Sequence, residues 1–307
     1  MDAITRDFYE ERRRKWRRSA FWRGVLATVL LIAGSLALAG WFLRDAHPVG
    51  PHIARVEIWD VIYSDPWRDE MLVEIAEDDD ARALILNIDS PGGTVVGSEA
   101  LYLAIRQVAE AKPVVVTMDG AAASGAYMAA IAGDHLIARG NTITGSIGVI
   151  FEYVNFAELM DRVGVGVETI RSSDLKADAS PLRELSPEGR AAEQALVDET
   201  QAWFRGLVAE ARGLEGAALD AVTDGRTFTG RMAVENGLID AIGGEAEALD
   251  WLESVEEGLS ELPVETWALP EEEETLLPRF LGAVLGLDTR LPDLSMPNGP
   301  RLMAILK

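Results

Sequence analysis

Ser124 stands in the run Met118-Asp119-Gly120-Ala121-Ala122-Ala123-Ser124-Gly125-Ala126-Tyr127, where an apolar strand meets a helix built of small residues. A serine there is exposed at a helix N-terminus, where the macrodipole and free N–H groups favour a developing alkoxide or oxyanion. The same position also suits a plain N-cap serine. A second small-residue turn, Ser90-Pro91-Gly92-Gly93, follows another apolar strand and offers backbone amides unobstructed by side chains. Such amides can form an oxyanion hole, in which one donor contributes about 3 kcal/mol to a transition state. Alone, Pro-Gly-Gly is only a turn; two such turns at neighbouring strand ends suggest acyl-transfer chemistry.

A serine nucleophile needs a base. The histidines are His47, His52 and His135: the first two fall in a linker, and His135 falls in an apolar strand that suits a buried neutral ring. A Ser-His-Asp triad therefore has poor support. Lysines are Lys15, Lys112, Lys176 and Lys307. Lys15 precedes a long apolar stretch, Lys112 ends a helix and Lys307 is terminal, which leaves Lys176, in Ser173-Asp174-Leu175-Lys176-Ala177-Asp178. It is either a solvated surface lysine or a general base. As a base it must be neutral, yet an exposed lysine with a pKa of about 10.4 is less than roughly 0.1% neutral at pH 7. Desolvation must then bring it down to about 7 to 8. Ser146, in Thr144-Gly145-Ser146-Ile147-Gly148, is a candidate to orient that amine or else a turn serine.

These residues need a scaffold. Ile53 to Tyr63 alternates and reads as a strand; Arg82 to Ile88 and Pro113 to Met118 are short apolar runs typical of strands covered on both faces. Ser98 to Ala111 carries helical periodicity, and a small-residue helix runs on to Ala132. His135 to Ala138 reads as a third buried strand. This order predicts an α/β fold of right-handed βαβ units on a parallel sheet, with ligands at the carboxyl ends of the strands, where both small-residue turns fall. Ser186 to Ala211 is expected as a long amphipathic helix, Thr229 to Gly237 as a short one, and Leu238 to Ala241 as a last strand. From Glu256 the chain reads as irregular, with one short apolar helix possible over Pro278 to Leu287.

The net charge is −23, but residues 1–23 carry eight Lys/Arg against four Asp/Glu, leaving 20 basic and 47 acidic residues in the remainder. So acidic a body argues against nucleic-acid binding. With no cysteine, disulfides, thiol catalysis and thiolate metal sites are excluded. Gly24 to Leu43 is twenty residues without a charge, enough for a helix of about 30 Å, the thickness of a bilayer core. Trp22 and Trp41 flank it, and the cluster Arg12 to Arg18 before it predicts a cytoplasmic N-terminus and a catalytic domain outside the cytoplasm. A cleavable signal peptide, ending at Ala37-Leu38-Ala39, is the competing reading and delivers the domain to the same side.

Taken in order and spacing, Asp89-Ser90-Pro91-Gly92-Gly93, Ala122-Ala123-Ser124-Gly125, Thr144-Gly145-Ser146-Ile147-Gly148-Val149, Lys176 before Ser180-Pro181, and Ala233 to Gly243 resemble the signal peptide peptidase A family in its bacterial single-repeat form. The resemblance covers about residues 52–255. It implies a crotonase-like (Clp protease-like) fold, Ser124 as nucleophile, Lys176 as base, Ser146 as its orienting partner, and the Gly92 or Gly93 amide in the oxyanion hole. It further implies a homo-oligomeric ring that completes the dyad between protomers, signal-peptide remnants as substrates, and no metal or cofactor. Two positions depart from the family pattern: Asp89 where Asn is frequent, and Ala126 where a second glycine is common. The expected organisation is a basic cytoplasmic tip (1–23), an inner-membrane helix (24–43), a linker (44–51), the protease domain (52–255) and a C-terminal extension (256–307). The extension's Pro-rich, Leu/Ala-containing sequence resembles a substrate strand that could enter the groove or be trimmed. The rival classes are a crotonase-type acyl-CoA enzyme and a non-catalytic membrane scaffold.

Overall fold

The computed structural model describes residues 50–268, the strand 302–305, and helical positions between residues 22 and 35. The chain divides into two units, Met1–Gly50 and Pro51–Lys307. In the first, the described positions are helical and exposed, among them Trp22, Leu26, Val29, Leu31 and Ile32. Among the described residues no helix is long and apolar enough to cross a membrane. The expected span 24–43 lies in large part outside the described residues, as does the apolar helix expected at 278–287.

The second unit begins with β1 (His52–Trp59), α1 (Pro66–Glu77), β2 (Ala81–Ser90), β3 (Gly92–Thr94), α2 (Val95–Ala111), β4 (Val114–Ala123) and α3 (Gly125–Ala130). It continues with β5 (His135–Ala138), β6 (Ile143–Gly145), β7 (Ile150–Phe151), α4 (Ala157–Arg162), α5 (Pro187–Arg212) and α6 (Gly216–Val222). Last come β8 (Thr227–Thr229), α7 (Gly230–Glu235), β9 (Ala241–Ile242), α8 (Glu245–Val255), β10 (Val264–Thr266) and β11 (Leu302–Ile305). The central sheet runs β10-β1-β2-β4-β5-β9 with every neighbouring pair parallel. This is the α/β architecture on a largely parallel sheet that the βαβ reading predicts.

Alternation along the strands explains the layering. Leu84, Leu86, Val114 and Val116 face one core with α1, α2 and α3, while Ala83, Ile85, Val115 and Ile137 face the other with Ala248 and Leu252 of α8. The helices start where side chains can cap them. Asp65 accepts from the Arg68 amide with Pro66 behind it, Thr94 from Gly97, and Ser186 from Gly189 with Pro187 behind it. α1 carries little periodicity, burying Arg68, Met71, Leu72 and Ile75, and the sequence does not announce it.

Several elements shift from the expected bounds: β1 ends at Trp59 rather than Tyr63, and α2 starts at Val95 rather than Ser98 because Thr94 caps it. β4 runs on to Ala123 because its alanine end, too small to signal a strand, pairs with β6 through Ala121–Ala123. The last strand starts at Ala241, because the Leu238 amide closes the end of α7 by donating to the Ala233 carbonyl and the Asn236 side chain. Val264–Thr266, in the stretch read as irregular, forms the edge strand parallel to β1.

The closing segment is held by one ion pair. Arg212, at the end of α5, donates to the Gly237 carbonyl at 2.9 Å and to Asp240 at 2.6 and 3.1 Å, and Asp240 also accepts from the Leu136 amide at 2.8 Å. Burial works against the Asp240 charge, but the Arg212 hydrogen bond and the Leu136 amide outweigh it and hold the carboxyl below its ordinary pKa. Asp240→Ala strands a largely buried guanidinium and a strand amide. A loss of about 3 kcal/mol is expected, read as a fall in Tm of roughly 6 to 12 °C by thermal melting.

Candidate active site

The register of the sheet brings three strand ends together. Ile58 pairs with Ile88 and Ile88 with Met118; then the β2–β4 register slips so that Ser90 lies opposite Ala122. Ser90 and Ser124 therefore emerge at the same edge, as the parallel-sheet rule requires.

Ser124 is the turn between β4 and α3, with φ 56° and ψ −119°, and its side chain makes no cap hydrogen bond. A non-glycine residue in that region costs on the order of 1–3 kcal/mol and persists only when its surroundings fix it. Here its amide donates to the Gly145 carbonyl at 2.7 Å, and β6 is latched to β4 by the Thr144 hydroxyl on the Ala122 carbonyl at 2.7 Å. The Ser124 hydroxyl lies 3.5 Å from the Gly148 carbonyl. A serine on a sharp strand-to-helix turn is the geometry of a nucleophile, and the plain N-cap role does not match it; the exposure expected from the sequence is not found, since Ser124 is fully buried where its turn packs under neighbouring strand ends.

The glycine turn is equally determined. The Ser90 hydroxyl donates to the Asp60 carbonyl at 2.5 Å and accepts from the Gly92 amide at 3.1 Å. Gly92 has φ 104°, and a Cβ on Gly93 would stand 1.9 Å from the Ile62 carbonyl oxygen, so both positions demand glycine. Ile62 donates to the Gly92 carbonyl and accepts from the Thr94 amide, which turns the N–H and C=O of Gly93 to the opposite edge of β3. Asp89, the departure noted in the sequence, accepts from the Ala121 amide at 2.9 Å and ties the two turns together.

Ser146 also has a positive φ, 49°, and its amide donates to the Arg226 carbonyl at 2.8 Å. It lines a cleft of about 690 Å³ with Gly148, Gln201 and Arg226. The structure thus gathers Ser124, Ser146 and the Gly92–Gly93 turn on neighbouring strand ends. Lys176 is not joined to them: its side chain is exposed and makes no hydrogen bond or ion pair among the described residues of the single chain.

The loop carrying Lys176 is nonetheless clamped. Arg171 bonds to the Asp174 carbonyl and Arg183 to the Ala177 carbonyl, on either side of the lysine. Asp178 accepts from the Ser186 hydroxyl at 2.6 Å, the Ser186 amide at 3.0 Å and Arg171 at 3.0 Å. Ser186 first, then Arg171, hold the Asp178 carboxyl below its ordinary value of 3.8. A depressed folded-state value means that this anchoring is fully present above pH 3.8 and is lost as pH falls through the lower folded value. Sequence reading missed Asp178. Its position two residues after Lys176 is visible, but its partner Ser186 declares itself only once α5 is capped.

The described histidines lie at the other end of the sheet. His135 pairs in register with Val115, nine residues before Ser124 along β4, which in an extended strand is about 30 Å away. Its ring stacks on Trp251 at 5.0 Å, and burial lowers its pKa against the pull of Asp240. His52 accepts from the Trp267 indole at 3.1 Å beside the start of β2. Neither can serve Ser124.

A serine on a strained turn beside a glycine turn at the carboxyl edge of the sheet is the layout of an acyl-transfer site, and comparison with known proteins identifies a protease. The profile of Peptidase family S49 matches residues 106–260, and that of Clp protease matches residues 61–140. A candidate protease of Synechocystis sp. is 36% identical over 245 residues, 80% of this chain and 88% of that protein. The chloroplastic serine protease SPPA of Arabidopsis thaliana is 34% identical over 181 residues, and Protease 4 of Salmonella typhi is 33% identical over 213. The matched stretches cover 59% and 68% of this chain but only 27% and 33% of those longer proteins. The chain belongs to Peptidase family S49, the signal peptide peptidase A family of serine proteases.

Gly93→Ala is expected to lower kcat/KM on a chromogenic peptide by at least about 100-fold. His135→Gln is expected to leave it within about threefold.

Proposed function

We propose that this chain is a membrane-anchored endopeptidase in which Ser124 is the nucleophile and Lys176 the general base, with Ser146 orienting the base. The observation that carries the reading is Ser124 itself, held on a strained turn beside the Gly92–Gly93 amides with no cap hydrogen bond to occupy its side chain. The reaction is acyl transfer. Neutral Lys176 takes the Ser124 proton, the oxygen attacks a peptide carbonyl, and the oxyanion settles on the backbone amides of the glycine turn. The lysine returns the proton to the departing amine, and water then hydrolyses the ester.

Because Lys176 is exposed in one chain, it serves the Ser124 of a neighbouring copy in a ring. Two observations support this. The arginine clamp holds the loop in one shape while presenting the lysine outward. The same stretch also exposes Val154, Leu159, Val163, Ile170 and Leu175, an apolar set that a lone domain would not leave in water.

The uncharged stretch 24–43 behind its basic tip anchors the chain in the inner membrane and places the catalytic domain outside the cytoplasm. Family membership supports signal-peptide remnants, apolar peptides left in the same bilayer, as substrates.

The test is hydrolysis of a fluorogenic peptide with a small or apolar residue before the scissile bond. Ser124→Ala and Lys176→Ala are each expected to lose activity by on the order of 10⁴-fold or more. Co-expressed in one assembly, the two inactive chains should recover about a quarter of the wild-type rate, the share of sites that receive an intact serine from one copy and an intact lysine from the next. No recovery in mixed assemblies would sink the shared dyad, and an inert wild type would sink the protease reading.

A further inference from the structure

The strand that leads to Ser124 is bulged. Up to Met118, β4 advances one residue for each residue of β2, but from Ile88 to Ser90 of β2 it advances from Met118 to Ala122. Two extra residues of β4 therefore stand opposite Asp89. At the same place β4 changes its other neighbour, pairing with β5 as far as Met118 and with β6 from Ala121. Asp119 and Gly120 are in register with no strand. A bulge re-aims the residues that follow it, and here those are Ala121, Ala122, Ala123 and Ser124.

Side chains stand in for the missing ladder bonds. On the sheet face that carries Ala83 and Ile85, alternation brings Asn87 and then Asp89 to the end of β2. Asp89 accepts at 2.9 Å from the Ala121 amide, the first after the two unpaired residues. Thr142 donates to the Asp119 carbonyl at 2.5 Å, and Asn87 to the Asp119 carboxylate at 3.2 Å. The fit is close, because a Cβ on Gly120 would stand 2.9 Å from the Asp89 carboxylate. Thr142 and Asn87 hold the bulge itself. Asp89 does more: it directly precedes Ser90, whose hydroxyl bonds to Asp60 and Gly92 and shapes the glycine turn. One end of this hydrogen bond thus lies three residues before Ser124, and the other lies three before Gly92.

We propose that Asp89 is a positioning residue for acyl transfer: by accepting from the Ala121 amide it sets the spacing between the Ser124 oxygen and the amides of the glycine turn. This rests on the protease reading above. The role requires an acceptor oxygen at that point and no negative charge. Without the acceptor, the Ala121 amide loses its partner and the bulge is free to shift. A misplacement of about 1 Å between reacting groups costs on the order of 100-fold in rate. The β3 edge is oriented separately, by Ile62, so peptide binding does not depend on this bond.

The experiment measures kcat and KM on a fluorogenic peptide for wild type, Asp89→Leu and Asp89→Asn, using the full chain in detergent. Inhibition by a peptide aldehyde is measured in parallel, since its carbonyl becomes a hemiacetal on the serine with the oxygen in the oxyanion hole. Leucine keeps the size of the side chain but accepts no hydrogen bond. Asp89→Leu is expected to lose about 100-fold in kcat with KM changed by less than about threefold. Its aldehyde inhibition constant should rise by about the factor by which kcat/KM falls. Asp89→Asn, whose amide oxygen can accept in the same place, should keep at least about a third of the wild-type kcat. A defect in folding alone would lower the amount of active enzyme and leave the inhibition constant where it was. An Asp89→Leu chain with wild-type kcat, or one whose loss leaves aldehyde inhibition unchanged, overturns the proposal and spares the protease reading. So does an Asp89→Asn chain below about a tenth of the wild-type kcat, a result that can be read even where the leucine variant does not fold. A wild type inert towards the peptide removes the protease reading, and the positioning role with it.

Discussion

The backbone bridge between Ile62 and Gly93 is the constraint on which the site depends. Two hydrogen bonds, Ile62 N–H to the Gly92 carbonyl at 2.9 Å and Thr94 N–H to the Ile62 carbonyl at 2.8 Å, orient a three-residue strand that has no apolar side chain to anchor it. The approach is so close that Gly93 admits no side chain. With one edge of β3 taken by Ile62, the Gly93 N–H and C=O face the opposite edge, where β11 pairs antiparallel with Ala304 opposite Gly93. In the proposed mechanism the oxyanion donor therefore lies on this same edge of backbone. Ser90 extends the same control, reaching back to Asp60 and forward to Gly92.

Strain gathers around this bridge. Among the described residues, the non-glycine positions with positive φ are Asp60, Ser124, Ser146 and Ala177. Asp60 receives the Ser90 hydroxyl, Ser124 and Ser146 sit on adjacent strand ends, and Ala177 follows Lys176. Each costs on the order of 1–3 kcal/mol, so the surrounding fold must hold all four. It does so with fully buried β-strands and with short hydrogen bonds, such as Thr142 to the Asp119 carbonyl at 2.5 Å and Thr144 to Ala122 at 2.7 Å. Thr142 precedes β6 and Thr144 lies within it, so loss of either hydroxyl would relax the turn without touching Ser124.

The sequence discloses elements wherever burial is one-sided in period or complete over a run. β2 and the first half of β4 are read correctly because Leu84-Ile85-Leu86 and Val114-Val115-Val116 are buried on both faces. α5 is read correctly because its Ser-Pro-Glu start and apolar stripe agree, while α2 is found by its stripe alone and placed three residues late because its cap, Thr94, lies inside the glycine turn. The alanine half of β4 is illegible as strand, since its pairing with β6 is long-range and alanine has little preference of its own. Of the candidate site residues, Ser124, Ser146, Gly92 and Gly93 lie on neighbouring strand ends, while Lys176 lies apart on an exposed loop. The bridge to Ile62, the clamp around Lys176 and the tie from Asp89 to Ala121 could not be found from spacing, because each joins segments whose proximity is created by sheet register. β11 is the extreme case: its pairing with β3 spans more than two hundred residues and involves a strand of only three.

The single chain therefore carries a site of unequal completeness. Ser124 and Ser146 stand at the ends of strands of the central sheet, and the Gly92–Gly93 turn follows directly on its strand β2. In the proposed mechanism the base rests on a loop held mostly by local bonds, from Arg171 and Arg183 to carbonyls within six residues and from Asp178 to Ser186, and tied beyond itself by the Asn155 side chain on the Arg183 carbonyl and the Phe156 amide on the Pro181 carbonyl. Such a loop keeps its shape but has little to fix its position relative to the sheet. A lysine that must lose its proton to work cannot do so in water at neutral pH. Under the proposed shared dyad, docking the exposed apolar residues of this loop against a neighbour would position the amine and remove its water in the same event. Hydrolysis would then be coupled to assembly: an isolated chain would hold a peptide on β3 and β7 without cutting it.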